Sequence, residues 1–134
     1  MKIAGVADTH AALWYLFGDA RLSTTGKAFI DHAASVGSKI GVSSISLAEL
    51  VYLVEKGRLA VGAYDEVTQA LSDAHHVFTE IALIAAVVEA MRRVARDEVP
   101  DMPDRIIAAS ALHLNVPVIS RDRRIRSANI HTIW

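Results

Sequence analysis

The chain is predicted to fold as α/β, in three α/β/α layers around a central parallel sheet. Short, almost wholly apolar runs alternate along it with longer stretches of helical periodicity, and glycine, asparagine and proline mark the boundaries between them. A strand that is apolar throughout, rather than at every second position, is buried on both faces, as in a parallel sheet covered by helices. With 134 residues, 52% hydrophobic and 22% charged, the composition is that of one globular domain spanning 1–134.

The first strand is "KIAGVA" at 2–7, and "HAALWYLF" after it is a helix stopped by Gly18. "TTGKAFIDHAASV" is a weaker helix ending at Gly37, and "KIGVSS" a second buried strand. In "SLAELVYLVEKG", Leu47, Leu50, Val51 and Val54 recur at helical spacing, with Gly57 where a C-terminal cap belongs. Tyr64, Val67, Leu71 and Ala74 mark one face of a further helix, and "VFTEI" is a short strand. The segment 82–96 reads as a helix through Ile84, Val87, Val88 and Met91, with Arg92, Arg93 and Arg96 at the end that favours positive charge. A helix over 102–114 stops at Asn115 ahead of Pro117. "VPVIS" is the next strand and "IHTIW" the last.

Composition removes several function classes. No cysteine is present, so disulfides and thiolate metal sites are excluded and a reducing cytoplasm is the expected setting. The N-terminal apolar stretch is cut by Asp8, too early for a secretory signal, and "IALIAAVV" falls well short of the roughly 20 residues that span a bilayer. A soluble protein without a membrane partner is expected. A formal net charge of −1 argues against nucleic-acid binding by bulk charge. "SRDRRIR" at 120–126 nevertheless holds four arginines against one aspartate, so a local contact with phosphate stays open.

The acids carry the chemistry. Asp8 closes the first strand, Glu49 and Asp104 lie in the first turns of their helices, and Asp122 follows the strand "VPVIS". In a parallel α/β sheet these positions gather at the carboxyl edge, where ligand crevices form. Each has a folding explanation of its own. Ser46-x-x-Glu49 matches a capping box, Asp101 an N-cap ahead of Pro103, Asp104 a dipole-favoured first-turn acid, and Asp122 a turn aspartate. Asp8 has no obvious local cap to make. Capping does not explain why several elements bring acids to one edge. Clustered carboxylates repel unless a cation neutralises them, and Mg²⁺ or Mn²⁺ takes such oxygens and bridges to phosphate. That combination points to phosphodiester chemistry.

"VADTHAALWYL", "VSSISLAELVYLVEKGRL", "PDMPDRIIAASAL", "VPVISRDRRI" and the closing "HTIW" together resemble the PIN domain, most closely the VapC-type toxins of toxin–antitoxin pairs. The resemblance covers essentially the whole chain, with the motifs in family order. It implies a PIN-like fold and a metal-dependent endoribonuclease. It further implies that Asp8, Glu49, Asp104 and Asp122 hold Mg²⁺ (or Mn²⁺), with Thr9, Asp101 and Ser120 beside them. Asp101 is read as a cap first and a supporting acid second, and Thr9 and Ser120 keep an N-cap reading. Implied partners are RNA, a VapB-type antitoxin and a second copy in a homodimer. Pro103 departs from the small residue common in the family, which a first helical turn tolerates.

Arg105, Arg121, Arg123, Arg124 and Arg126 are expected either to guide phosphate or to form a solvated basic turn. His75 and His76 are adjacent and diverge, and no H-E-x-x-H occurs, so zinc is not expected. His10 reads as rim packing near Asp8, and Trp14 and Tyr15 as core or dimer interface. Competing functions fit less well. Aspartyl-phosphate hydrolases want D-x-D after the first strand, where this chain has His10 in the third place. Neither G-x-G-x-x-G nor G-x-x-x-x-G-K-S/T is present. A catalytically silent interaction module with the same fold is the remaining alternative, and it predicts a lost acid.

Overall fold

The computed structural model describes residues 2–127 and 130–134. Among them the order is β1 (Ile3–Ala7), α1 (Thr9–Phe17), α2 (Thr24–Ser35), β2 (Lys39–Ser43), α3 (Ser44–Glu55), α4 (Ala63–Ser72) and β3 (Phe78–Ile81). Then come α5 (Ala85–Ala90), a 3₁₀ turn (Met91–Arg93), α6 (Met102–Leu114), β4 (Val118–Ile119), α7 (Arg123–Ser127) and β5 (Thr132–Ile133). The strands form one sheet in the order β3-β2-β1-β4-β5, and every pairing is parallel.

Alternation along each strand builds the three layers. Val6 and Val118 pack with Val87, Ala90, Ile106 and Ile107 of α5 and α6. Their neighbours Ala7 and Ile119 face the other way, into a cluster with Trp14, Ile30, Val42 and Phe78. Adjacent strand residues point to opposite faces, so an apolar pair at each position feeds two cores. A smaller cluster of Leu13, Leu50, Ala63 and Val67 joins α1, α3 and α4.

The predicted helix stops hold. Gly18, Gly37 and Gly57 have positive φ, and Asn115 ends α6 in the left-handed region at φ 55°. Two expectations do not hold. The segment 82–96 is no single helix: residues 82–84 precede α5, and the chain leaves helical geometry after the 3₁₀ turn. There the carbonyls of Met91 and Val94 accept from Nη2 and Nε of Arg105 in α6, both at 2.9 Å, and the Met91 carbonyl also accepts the Val94 N–H at 3.0 Å. The basic run at 123–127, for which a solvated turn was one of two expectations, is the short helix α7.

The sequence β3-β2-β1 runs away from β1 on one side and β4-β5 on the other, so the order reverses at the β1/β4 seam. Open α/β sheets bind ligands outside the carboxyl ends of strands at such a seam.

Gly41 sits mid-strand in β2 because Ile81 crosses over it: a methyl group there would overlap the Ile81 side chain. Gly41→Ala is expected to lower unfolding free energy by about 1–3 kcal/mol in urea melts. The cost should shrink when Ile81 is also cut to Ala. Additive losses in the double variant would refute the overlap as the cause.

Candidate functional site

Backbone geometry fixes most of the acids. Asp8 ends the β1 turn into α1 as its N-cap, with Oδ1 accepting from Ala11 N–H at 2.8 Å. The sequence showed no such cap, because nothing there reveals that the helix begins at Thr9. Asp101 caps α6 as expected, accepting from Asp104 N–H at 3.1 Å. Asp122 accepts from Arg124 N–H at 2.8 Å at the start of α7. The α3 cap is Ser43, whose Oγ accepts from Ile45 N–H at 3.2 Å, so the capping box of Ser46 and Glu49 does not form. Ser46 lies inside the helix and is fully buried.

Two hydroxyl groups tie these acids together. Thr9 Oγ1 lies 2.6 Å from Glu49 Oε1 and 2.8 Å from Ser46 Oγ. A hydroxyl has one proton and a carboxylate oxygen accepts, so Thr9 donates to Glu49 and accepts the hydrogen bond of the Ser46 hydroxyl. Ser120, also buried, donates to the Asp8 carboxylate and accepts from Asp122 N–H at 2.9 Å. Thr9 and Ser120 are therefore linkers between chain-distant acids. Neither is the residue whose side chain caps its helix. Ser46 was not singled out as part of this chain; only its contact with a residue 37 positions away reveals it.

The four acids and Asp101 line one cavity of about 540 Å³ at the carboxyl edge, shared with Thr9, His10, Trp14, Arg21, Arg121 and Arg124. Burial raises the Asp8 carboxyl above its usual range, against the hydrogen bonds from Ser120 and Ala11. Glu49 is raised for the same first reason, opposed by Thr9 and reinforced by Asp101. Asp104 is pushed up to about 8 by burial, then by the Asp101 charge, a hydrogen bond with Asp122, and the charges of Asp122 and Glu49. The arginines divide. Arg121 and Arg124 line the cavity, and Arg123 and Arg126 are exposed outside its lining. Arg105 was expected to face substrate, but its guanidinium is turned to the Met91 and Val94 carbonyls.

The donor chemistry fits a hard divalent cation: the acids offer oxygen ligands only, and burial raises Asp8, Glu49 and Asp104 in a way that a cation's charge would oppose. The carboxyl groups are not drawn into a finished ligand set, since among the described residues no three His, Asp or Glu side chains form a metal-binding group. No helix among the described residues is long and apolar enough to cross a membrane.

Comparison with known proteins agrees with the fold. The PIN domain family model matches residues 6–130. Ribonuclease VapC22 of Mycobacterium tuberculosis is 29% identical over 120 residues, covering 90% of this chain and 88% of its own length. The crystal structure of VapBC2 from Rickettsia felis, bound to a DNA fragment from its promoter, superposes with TM-score 0.70 at 18% identity and 97% coverage of both chains. A toxin–antitoxin complex from Klebsiella pneumoniae gives 0.62 at 19% identity, covering 98% of this chain and 97% of that one.

A carboxyl group raised on folding binds its proton more tightly in the native than in the unfolded state, so native stability falls as pH rises from about 4 towards 8. In EDTA, Asp104→Asn should therefore stabilise the protein at pH 8, on the order of 1 kcal/mol after solvent screening. The difference should vanish below pH 4. Melting curves of both proteins across that range test this, and a pH-independent difference would rule it out.

Proposed function

Because the chain belongs to the PIN domain family, we propose that it is a metal-dependent endoribonuclease, the VapC-type toxin of a type II toxin–antitoxin pair. The observation that carries this reading is the convergence of Asp8, Asp104 and Asp122, from three helix starts, and of Glu49, from the second turn of α3 rather than the first turn expected, on one cavity at the seam of the sheet. The name of the Mycobacterium relative supports the ribonuclease class, and those of the two structural neighbours support an antitoxin partner. The silent-module alternative requires a missing acid, and none of the four is missing.

In this reading, residues 1–134 act as one nuclease domain in the cytoplasm. Asp8, Glu49, Asp104 and Asp122 would hold Mg²⁺ or Mn²⁺. The bound ion supplies charge neutralisation and activation of water towards an RNA phosphodiester. The protein's own contribution is orientation. Thr9 holds the Glu49 carboxylate, Ser120 joins Asp8 to Asp122, and the cap to Ala11 N–H fixes the Asp8 oxygen. Asp104 must give up its proton before it can serve as an anionic ligand. Exposed Val51, Tyr52, Leu83, Ile84 and Val88 offer apolar area for the antitoxin or a second copy.

The direct test is cleavage of labelled RNA with Mg²⁺, Mn²⁺ or EDTA. EDTA should abolish cutting, and Asp8→Asn, Glu49→Gln and Asp104→Asn should each reduce it by about a hundredfold or more. Cutting that survives EDTA and all three substitutions equally would discard the reading. Thr9→Val should lower activity about tenfold while leaving the fold intact by circular dichroism, since it frees Glu49 without removing it. Calorimetric Mn²⁺ affinity should rise with pH up to about 8 and then level off, because binding displaces the Asp104 proton. A flat profile would show that Asp104 is not a ligand.

A further inference from the structure

The cavity poses an electrostatic problem for the substrate just proposed. Five carboxylates line it, and a polyanionic backbone must approach them. Three arginines share the lining, and two of them have a common support. The guanidinium carbons of Arg121 and Arg21 lie 4.7 and 5.2 Å from the centroid of the Trp14 ring. Trp14 is itself held. Its exposure is 6%, and it packs in the core cluster with Ile30, Val42 and Phe78, near His10 at 5.6 Å and Trp134 at 6.1 Å between ring centroids. Arg21 is further oriented by Asp19, to which Nε and Nη2 donate at 3.1 and 2.7 Å. Both arginines are otherwise solvent-exposed.

We propose that Arg21 and Arg121, seated on the Trp14 ring at the rim of the acidic cavity, form a phosphate subsite that holds the RNA backbone beside the cleaved bond. Three features separate this pair from an ordinary surface charge cluster. The arginines come from opposite ends of the chain, one after α1 and one after β4, so no local charge run brings them together. A buried indole carries both, and a guanidinium seated on a ring face can still donate from its edge, which on Arg21 leaves Nη1, since Nε and Nη2 donate to Asp19. Among the described residues neither arginine forms an ion pair with a cavity acid, and Arg21 pairs with Asp19 instead. Guanidinium donors in a fixed plane match phosphate oxygens in a way that a mobile lysine does not. Asp19 weakens the net charge of Arg21 but also fixes it, and an exposed ion pair of this kind costs little to share with a phosphate.

This subsite rests on the nuclease reading, and its test separates the two. Affinity of single-stranded RNA is measured by fluorescence anisotropy in EDTA at several salt concentrations, and kcat and KM are measured separately in Mn²⁺. Arg21→Gln and Arg121→Gln should each weaken binding about three- to tenfold and lower the salt slope by about 0.7. They should raise KM with little change in kcat, and melting temperatures should stay near wild type because both side chains are exposed. Arg21→Lys should restore only part of the affinity, since it keeps the charge and loses the planar fork. Wild-type cleavage with unchanged affinity in both glutamine variants would overturn the subsite alone. A fall in kcat at unchanged KM would overturn it too. Wild-type protein that neither binds nor cuts RNA would overturn the nuclease reading and the subsite together.

Discussion

Hydrogen bonds from helix N-termini to carboxylates organise this molecule. Asp8, Asp101 and Asp122 each accept a backbone N–H at the start of α1, α6 or α7. A parallel sheet sends every strand the same way, so the helices that follow begin at one edge, with their unpaired N–H groups and positive dipole ends pointing there. An acid that caps such a helix contributes about 1 kcal/mol to folding and is placed at the ligand edge by the same bond. Capping and site-building are therefore one interaction here. The choice between a folding and a chemical role for each acid is not exclusive.

The same arrangement sets an electrostatic limit. A helix start stabilises a carboxylate, but α6 begins with two, Asp101 and Asp104, and Asp104 is also raised by Asp122 and Glu49 across a partly buried cavity. The conflict raises the proton affinity of Asp104, and polar linkers hold the acids in place. Thr9 and Ser120 connect acids that are far apart in sequence, and Ser46 connects a helix interior to that network. Such links hold carboxylates apart from ordinary solvent disorder without cancelling their charge. An acidic site of this kind is costly to the fold until a counter-charge arrives.

Positive charge is handled in a parallel way. Arg105 is spent on backbone carbonyls, closing the end of the α5 region, while Arg21 and Arg121 are lifted to the cavity rim by Trp14. Residues of one type thus take opposite roles according to what lies within a few ångströms. The indole is the decisive neighbour: it is large enough to belong to the core and polarisable enough to seat a cation.

The parallel sheet, the helix over 102–114 with its Asp101 cap and Asn115 stop, and the placing of four acids at one edge were all legible in the residues. They depend on hydrophobic period, cap chemistry and strand direction, which are local or follow from topology rules. The sequence could not show that Ser43 rather than Ser46 caps α3. Both serines suit a cap, and only the buried contact with Thr9 separates them. Nor could it end the helix predicted over 82–96, because the group that takes its carbonyls is Arg105, a dozen residues on. Arg21 belongs to no run or motif, and only packing carries it to the cavity. Sequence by itself determined most of the elements and the edge they share. Tertiary structure decided which side chains meet there, because contacts between residues distant in the chain depend on packing that no local pattern encodes.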